Sequence, residues 1–115
     1  MSQTNPVPQG TALITGASTG IGAIYADRLA RRGHDLILVA RNRDKLQTLA
    51  ADISDATGRA VEVVAADLGD AADLARVEEI LRRDASITAL VNNAGIGTHA
   101  SVSYTHLTLP TILLV

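Results

Sequence analysis

Apolar residues recur along this chain in two alternating patterns. Four short segments are apolar over most of their length, which is typical of strands covered on both faces of a parallel sheet: residues 11–15, 35–40, 60–65 and 87–92. Between them, apolar residues three and four positions apart predict helices: residues 20–32, residues 42–57, and a third helix that Asp70 caps and that ends at Arg83. Gly33 and Gly58 follow the first two helices as stop signals.

The spacing within two of these helices also predicts which side chains share a face. The first helix places three apolar residues together: Ile21, Ile24 and Leu29. The third helix is expected to bury four: Leu74, Val77, Ile80 and Leu81.

Strands that alternate with helices require right-handed crossovers and therefore form a parallel sheet. The predicted fold class is α/β, a Rossmann-type doubly wound parallel sheet, truncated, with the strand order 3-2-1-4. In such a sheet a ligand binds where the strand order reverses, which here lies between strands 1 and 4.

Three glycines lie at the turn from the first strand into the first helix. Gly16 allows a sharp turn, Gly20 lets a ligand approach the main chain, and Gly22 lets the helix pack closely against the sheet. Free N–H groups at the start of this helix and its dipole favour an anion such as a pyrophosphate. The alternative is a tight strand-to-helix turn that holds no ligand.

Three motifs in register carry a family resemblance. Residues 15–22 read TGASTGIG, Asp67-Leu68 follow strand 3, and Asn92-Asn93-Ala94-Gly95 follow strand 4. In this order and spacing, over residues 11 to about 98, the chain resembles the short-chain dehydrogenase/reductase family. Each motif alone is modest, but the three together are specific.

The resemblance implies a nicotinamide dinucleotide as the ligand, with a contact for each of its parts. The pyrophosphate and the adenosine ribose would be held by backbone and hydroxyl groups of the glycine turn: Gly16, Ser18, Thr19, Gly20, Ile21 and Gly22. The adenine would contact Asp67, through its amino group, and Leu68. The nicotinamide ribose would contact Asn93, Ala94 and Gly95.

Two of these motifs have simpler alternatives. Asp67 could serve only as a turn former before Gly69, and Asn92-Asn93 could merely end a strand. The resemblance gives Asn92 a structural role instead, because its side chain would bridge the backbone of neighbouring strands.

The end of strand 2 indicates which dinucleotide is bound. Enzymes that select NAD place a carboxylate there to bond the ribose 2′-hydroxyl, but this chain has Ala40, followed by Arg41 and Asn42. A guanidinium suits a 2′-phosphate, so Arg41 and Asn42 are candidate contacts and NADP is favoured over NAD. The family has a second basic position just before the middle glycine, and this chain has Thr19 there. Only one of the two sequence signals for NADP is therefore present. Alternatively, Arg41 is a solvated cation that pairs with Asp44.

No catalytic residue is predicted within these 115 residues. Reductases of the family use a Tyr and a Lys four positions apart, but Tyr25, Tyr104 and Lys45 do not form such a pair. We therefore expect the NADP(H)-binding half of a short-chain oxidoreductase, inactive by itself, whose full-length parent transfers hydride between NADP(H) and a carbonyl or alcohol. One alternative is a non-catalytic NAD(P)-binding or redox-sensing domain. Another is a methyltransferase-like enzyme, against which Ala40-Arg41 argues.

The character of the sequence changes near residue 101. Residues 102–115, VSYTHLTLPTILLV, contain no charged residue and resemble a translated sequencing adapter. The predicted organisation is a disordered lead-in over residues 1–10, a partial dinucleotide-binding domain over residues 11–101, and a tail of non-native appearance over residues 102–115. Strand 4 would then form an exposed edge. The alternative is that the tail is a native hydrophobic strand.

Composition excludes several other classes of protein. The net charge of −2 gives no basic surface for nucleic acid, and no segment is apolar for the length of a membrane span. The absence of cysteine excludes disulfides and thiolate metal sites, and no metal is expected. A cytoplasmic protein is predicted, with the parent forming homo-oligomers through segments that are absent here.

Overall fold

A computed structural model of the chain describes residues 9–18, 20–93 and 111–114. Strands and helices alternate as predicted, and the strands predicted at residues 11–15, 35–40 and 87–92 are confirmed to the residue. The other boundaries differ by at most one residue. In chain order the elements are β1 (Thr11–Thr15), α1 (Gly20–Arg31), β2 (Asp35–Ala40), α2 (Arg43–Thr57), β3 (Val61–Ala65), α3 (Ala71–Arg83), β4 (Ile87–Asn92) and β5 (Thr111–Leu114).

The strands form one parallel sheet in the order β3-β2-β1-β4-β5. The predicted order 3-2-1-4 is confirmed, and β1 lies at its centre. The expectation that β4 would be an exposed edge is wrong, because β5 pairs with it from Ala89↔Thr111 to Asn92↔Leu114. The hydrogen bonds between paired strands join backbone groups. A short apolar segment can therefore pair with β4 whether or not its sequence is native. The division of the chain at residue 101 stays a prediction.

The two faces of the sheet carry separate apolar clusters, because alternate side chains of a strand point in opposite directions. Ala12, Ile14 and Leu38 belong to the cluster shared with α1 and α2. Leu13 and Val39 belong to the cluster shared with α3. With no Phe or Trp in the chain, both clusters are built from aliphatic side chains.

Helix α1 rests on the sheet through small residues rather than through its isoleucines. Its buried positions are Gly22, Ala26 and Ala30, spaced four apart, whereas Ile21 and Ile24 are 54% and 53% exposed. A stripe of small residues lets the helix backbone approach the sheet more closely than isoleucine would allow. On α3, by contrast, Val77 and Leu81 are buried as predicted.

The remaining two apolar residues of the predicted α3 face, Leu74 and Ile80, are only half-buried. The α3 cap is as predicted, since the Asp70 carboxylate accepts a hydrogen bond of 3.0 Å from the backbone N–H of Asp73. Within the described part of the chain, no helix combines the length and the apolar character needed to cross a membrane.

Candidate functional site

A cavity of about 500 Å³ opens at the carboxyl ends of the strands. Four of these strand ends contribute to it, in the region where a doubly wound sheet binds its ligand. Seven of the predicted site residues line this cavity: Gly16, Ser18, Arg41, Asn42, Asp67, Leu68 and Asn93. Four residues that were not predicted as contacts also line it: Ala40, Lys45, Ala66 and Gly69.

Three other predicted contacts are not among the described residues that line the cavity. Gly20, Ile21 and Gly22 form the first turn of α1, next to the glycine turn. The remaining three, Thr19, Ala94 and Gly95, lie outside the described residues.

The three glycines of the turn differ in what their missing side chains permit. Gly16 and Gly20 have φ angles of +65° and +44°, a region that other residues rarely adopt. A Cβ at Gly20 would meet no heavy atom of the described residues within 4 Å, so these residues leave space for a ligand there. A Cβ at Gly22 would overlap the carbonyl oxygen of Gly16 and lie 2.7 Å from Nδ2 of Asn93. Gly22 is therefore required for α1 to begin this close to the strand ends.

A buried hydrogen-bond network joins the ends of β1 and β4. The hydroxyl of Thr15 donates to Oδ1 of Asn92 over 3.0 Å and accepts the backbone N–H of Asn93 over 3.0 Å. Nδ2 of Asn93 donates to the carbonyl of Gly16 over 3.1 Å, which holds the glycine turn against β4. Because these groups are largely removed from water, their pairing gives the strand ends one arrangement.

The prediction for Asn92 was right about the strands that it joins but not about the group that it contacts. Its described bond runs to the side chain of Thr15 rather than to backbone. Thr15 was not predicted as a functional residue, although a hydroxyl at the end of a fully buried strand is a polar group that must find a partner.

Asp67 forms the turn that follows β3 and also lines the cavity. Its Oδ1 accepts the backbone N–H of Gly69 over 2.9 Å, which is the turn-forming role of the simpler alternative. Its own backbone N–H donates to Asp73 over 2.8 Å. That bond, with a smaller contribution from Arg76, lowers the pKa of the Asp73 carboxyl.

The cations in the cavity have no carboxylate partner among the residues that the structure describes. Arg41 does not pair with Asp44, which was the alternative role for this arginine, and Lys45 is likewise unpaired. Ala40 takes the place of the carboxylate at the end of β2, so Asp67 is the one acidic residue of the described lining. The electrostatics at this end of β2 therefore favour an anion.

Lys45 is a residue of this site that sequence reasoning missed. It lies in the first turn of α2, shortly after the predicted contacts Arg41 and Asn42, so its closeness to them in the sequence was the available signal. Within the described ranges, no group of three or more His, Asp or Glu residues is placed to hold a metal ion.

Comparison with known proteins identifies a family that matches this geometry. The family model of short chain dehydrogenases matches residues 10–111. Among curated proteins, the chain is 41% identical over 103 residues to the very-long-chain 3-oxoacyl-CoA reductase of Pyrenophora tritici-repentis, covering 85% of this chain and 30% of that protein. It is 36% identical over 85 residues to the human inactive hydroxysteroid dehydrogenase-like protein 1, covering 74% and 26%.

Solved structures show the same relationship. A short-chain dehydrogenase from Sphingobium yanoikuyae in complex with NADPH is 61% identical, with a TM-score of 0.73, over 77% of this chain and 34% of that one. A bulky-bulky ketone specific alcohol dehydrogenase from Comamonas testosteroni is 51% identical, with a TM-score of 0.76, over 80% and 37%. The chain thus spans 26% to 37% of the length of these relatives. Because the family model covers most of its length, the chain belongs to the short-chain dehydrogenase family.

Proposed function

We propose that this chain is the NADP(H)-binding portion of an oxidoreductase whose whole protein transfers hydride between NADP(H) and a carbonyl or alcohol. One observation carries the proposal. At the end of β2, Ala40 stands where a carboxylate would bond a ribose hydroxyl. Arg41 lines the cavity and has no acidic partner among the described residues. The related Sphingobium enzyme, which was solved with NADPH, supports the same choice of dinucleotide.

The described residues fit a dinucleotide along the cavity. The open backbone at Gly20 and the turn at Gly16 would receive the pyrophosphate, and the Ser18 hydroxyl would donate to it. Asp67 would accept the adenine amino group with the carboxylate oxygen that Gly69 does not occupy. When bound, the nicotinamide supplies the hydride, and the chain's own part is to bind and orient it.

The expected selectivity follows from the chemistry of Arg41. A charge-assisted hydrogen bond is worth about 1.5–3 kcal/mol, which corresponds to roughly 10- to 100-fold in affinity. A ribose hydroxyl carries no charge, so it gains less from the guanidinium than a phosphate does, and the chain has no carboxylate at position 40 to bond the hydroxyl instead. NADPH should therefore bind more tightly than NADH.

The proton chemistry of the whole protein needs residues that this chain does not contain. Within these 115 residues no Tyr is followed by a Lys four positions later, and Tyr25 packs against the apolar cluster of α1 and α2. We therefore propose that the 115-residue chain binds the cofactor without turnover. The same absence favours a second candidate, a non-catalytic NAD(P)-binding or redox-sensing domain. Cytoplasmic location and oligomerisation of the whole protein stay predictions.

The proposal is tested by titrating the chain with NADPH and NADH and following nicotinamide fluorescence, with circular dichroism to show that each variant is folded. We expect NADPH to bind at least tenfold more tightly than NADH. Arg41→Ala should remove most of this preference while leaving NADH affinity within about twofold. Arg32→Ala, which removes an exposed arginine at the other end of the sheet, is the control.

Equal affinity of the folded chain for both dinucleotides would contradict the choice of NADP. Binding of S-adenosylmethionine in their place would favour the methyltransferase alternative. The two NADP-binding candidates are separated by extending the chain with its native continuation. Ketone-dependent oxidation of NADPH by that longer protein indicates the enzyme, and cofactor binding without turnover indicates the non-catalytic domain.

A further inference from the structure

The first turn of α2 contains basic residues, whose charge interacts unfavourably with the helix dipole. A helix N-terminus favours acidic residues and disfavours cations, yet this turn contains Arg43 and Lys45 with Asp44 between them. The last turn of α2, where cations would be favourable, contains no basic residue and does contain Asp55. The charges of α2 are thus close to the reverse of what the helix alone would favour.

The other two helices follow the ordinary rule. Helix α3 begins with Asp70 and Asp73 and ends with Arg82 and Arg83. Helix α1 has Arg28 and Arg31 in its last turn. The reversal therefore belongs to α2, the helix that begins at the cavity, and not to the chain in general.

Lys45 also departs from the usual capping arrangement. Asn42 caps α2 by accepting the backbone N–H of Lys45 over 3.1 Å, so Lys45 occupies the third helical position. A capping box has Glu or Gln at this position, since such a side chain can reach back to the N-cap. A lysine cannot accept that bond, and its charge is unfavourable there, so helix formation does not explain it.

The position of Lys45 in the cavity supplies an explanation. Lys45 lines the same cavity as Arg41 and Ser18, and it borders a shallower recess with Asp44 and Asp52. Neither carboxylate forms an ion pair with it, and no other described acidic residue does so. Two cations without a carboxylate partner in the described ranges therefore face one cavity, four residues apart, at the start of a helix whose dipole also attracts an anion.

We propose that Lys45 is a specificity-determining residue that acts with Arg41 as a second contact for the 2′-phosphate of NADP(H). The inference rests on the proposed function and extends it to a residue outside the family motifs. A phosphate dianion here would neutralise both cations and offset the unfavourable charge at the start of α2. Lys45 thereby supplies the second positive charge that Thr19 does not provide.

The test measures the affinities of the 115-residue chain for NADP+ and NAD+ by calorimetry, because these ligands differ only in the 2′-phosphate. Lys45→Met keeps the length of the side chain and removes its charge. We expect it to weaken NADP+ roughly threefold to tenfold and to leave NAD+ unchanged. Lys45→Arg should restore the preference. The unfolding temperature of Lys45→Met without ligand should not fall, because an unfavourable cation has been removed.

Arg43→Gln is the matched control, because it removes the same charge from the same turn at a position that borders an open recess with Arg41 and does not line the main cavity. It should change the ratio of the two affinities by less than twofold. The chain's single lysine adds a direct readout, since its side-chain nitrogen gives one signal after isotope labelling. That signal should shift on addition of NADP+ and stay in place with NAD+.

The outcomes separate this inference from the proposed function. If the chain prefers NADP+ but Lys45→Met keeps that preference, the role of Lys45 is wrong and the proposed function stands. The role of Lys45 is also wrong if Lys45→Met weakens both ligands equally, or if Arg43→Gln changes the ratio of the two affinities as much as Lys45→Met does. In either case the lysine would act only through nonspecific electrostatic attraction. If the unaltered chain shows no preference or no binding, the proposed function itself fails and the role of Lys45 fails with it.

Discussion

The two ends of the parallel sheet use their polar residues in opposite ways. At the amino ends of the strands, charged and hydroxyl groups pair with one another or with the backbone. Oδ1 of Asp35 accepts three hydrogen bonds, from Nε and Nη2 of Arg59 at 3.0 and 2.9 Å and from the backbone N–H of Ala60 at 3.2 Å. Nearby, Thr88 donates its hydroxyl to the carbonyl of Gln9 over 2.7 Å.

At the carboxyl ends, the polar groups that face the cavity are left available. Arg41 and Lys45 have no carboxylate partner among the described residues, and the backbone at Gly20 is open. The bonds present there, between Thr15, Asn92 and Asn93, hold the strand ends in place instead of neutralising the cations.

This difference separates stability from binding within one small sheet. Paired groups at the amino ends contribute to folding, whereas unpaired cations at the carboxyl ends contribute little until an anion arrives. Substitutions at the amino ends should therefore change stability alone. Substitutions at the carboxyl ends should change ligand affinity, with or without stability.

The largest effect is expected from Gly22→Ala at the carboxyl ends. In a helix this change ordinarily gains stability, by up to about 1 kcal/mol. Here the new methyl group would overlap the backbone carbonyl of Gly16 and crowd Asn93, and neither can move without breaking the bond between them. We expect a net loss of about 1–3 kcal/mol in the free energy of unfolding, measured in urea, and at least a tenfold loss of NADPH affinity.

Gly58→Ala is the control for Gly22→Ala. Gly58 ends α2 with a φ of +72°, and a Cβ there would meet no heavy atom within 4 Å in the part of the chain that the structure describes. The methyl group should cost about 1 kcal/mol of backbone strain and leave NADPH affinity unchanged. If Gly22→Ala also left NADPH affinity unchanged, the close approach of α1 to the strand ends would not matter for binding.

A smaller effect is expected from Asp35→Ala at the amino ends. The variant loses the three bonds to Oδ1 and leaves the largely buried guanidinium of Arg59 without its partner. We expect the free energy of unfolding to fall by about 1–2 kcal/mol and NADPH affinity to stay the same.

Asp27→Ala is the matched control for Asp35→Ala, because it breaks the exposed pair with Arg31 and should change stability little. A loss of NADPH affinity in Asp35→Ala would contradict the separation of the two ends of the sheet.

Sequence patterns predicted most of this architecture because the pattern and the structure depend on the same contacts. Continuous apolar segments such as those at β2 and β4 occur where both faces of a strand are covered, so their limits were predicted to the residue. The orientation of α1 could not be predicted from large apolar residues, because the sheet is approached through Gly22, Ala26 and Ala30. The pairing of β5 depends on backbone bonds between distant segments, which periodicity does not record.

The candidate site likewise contains residues that the sequence predicted and residues that it missed. The family motifs and the end of strand 2 together predicted seven residues that line the cavity, because turns at strand ends must meet at one end of a parallel sheet. Lys45 was missed because it belongs to a helix, and which side chain of a first turn faces a cavity depends on how that helix is placed. The partner of Asn92 was missed because a hydroxyl inside a β-branched segment, such as that of Thr15, looks in the sequence like any other strand residue.

The smallest effect concerns His34, which lies just before β2 at the amino ends of the strands. Burial lowers the pKa of its imidazole, although a contact with the backbone of Gly10 partly opposes this, and Nδ1 is buried without a partner among the described residues. The unfolded chain, in which the pKa is about 6.5, therefore binds a proton more readily than the folded chain. Stability should fall as the pH drops below about 6.5 towards the lower pKa of the folded state.

Urea unfolding at pH 5.5 and 7.5 measures this dependence, and His34→Gln should reduce the difference between the two pH values. The two proteins differ only at this side chain, so the comparison isolates the imidazole. NADPH affinity should respond to this substitution at neither pH, because His34 lies at the opposite end of the sheet from the cavity. A binding change in His34→Gln that exceeds its stability change would show that the two ends are coupled through the sheet.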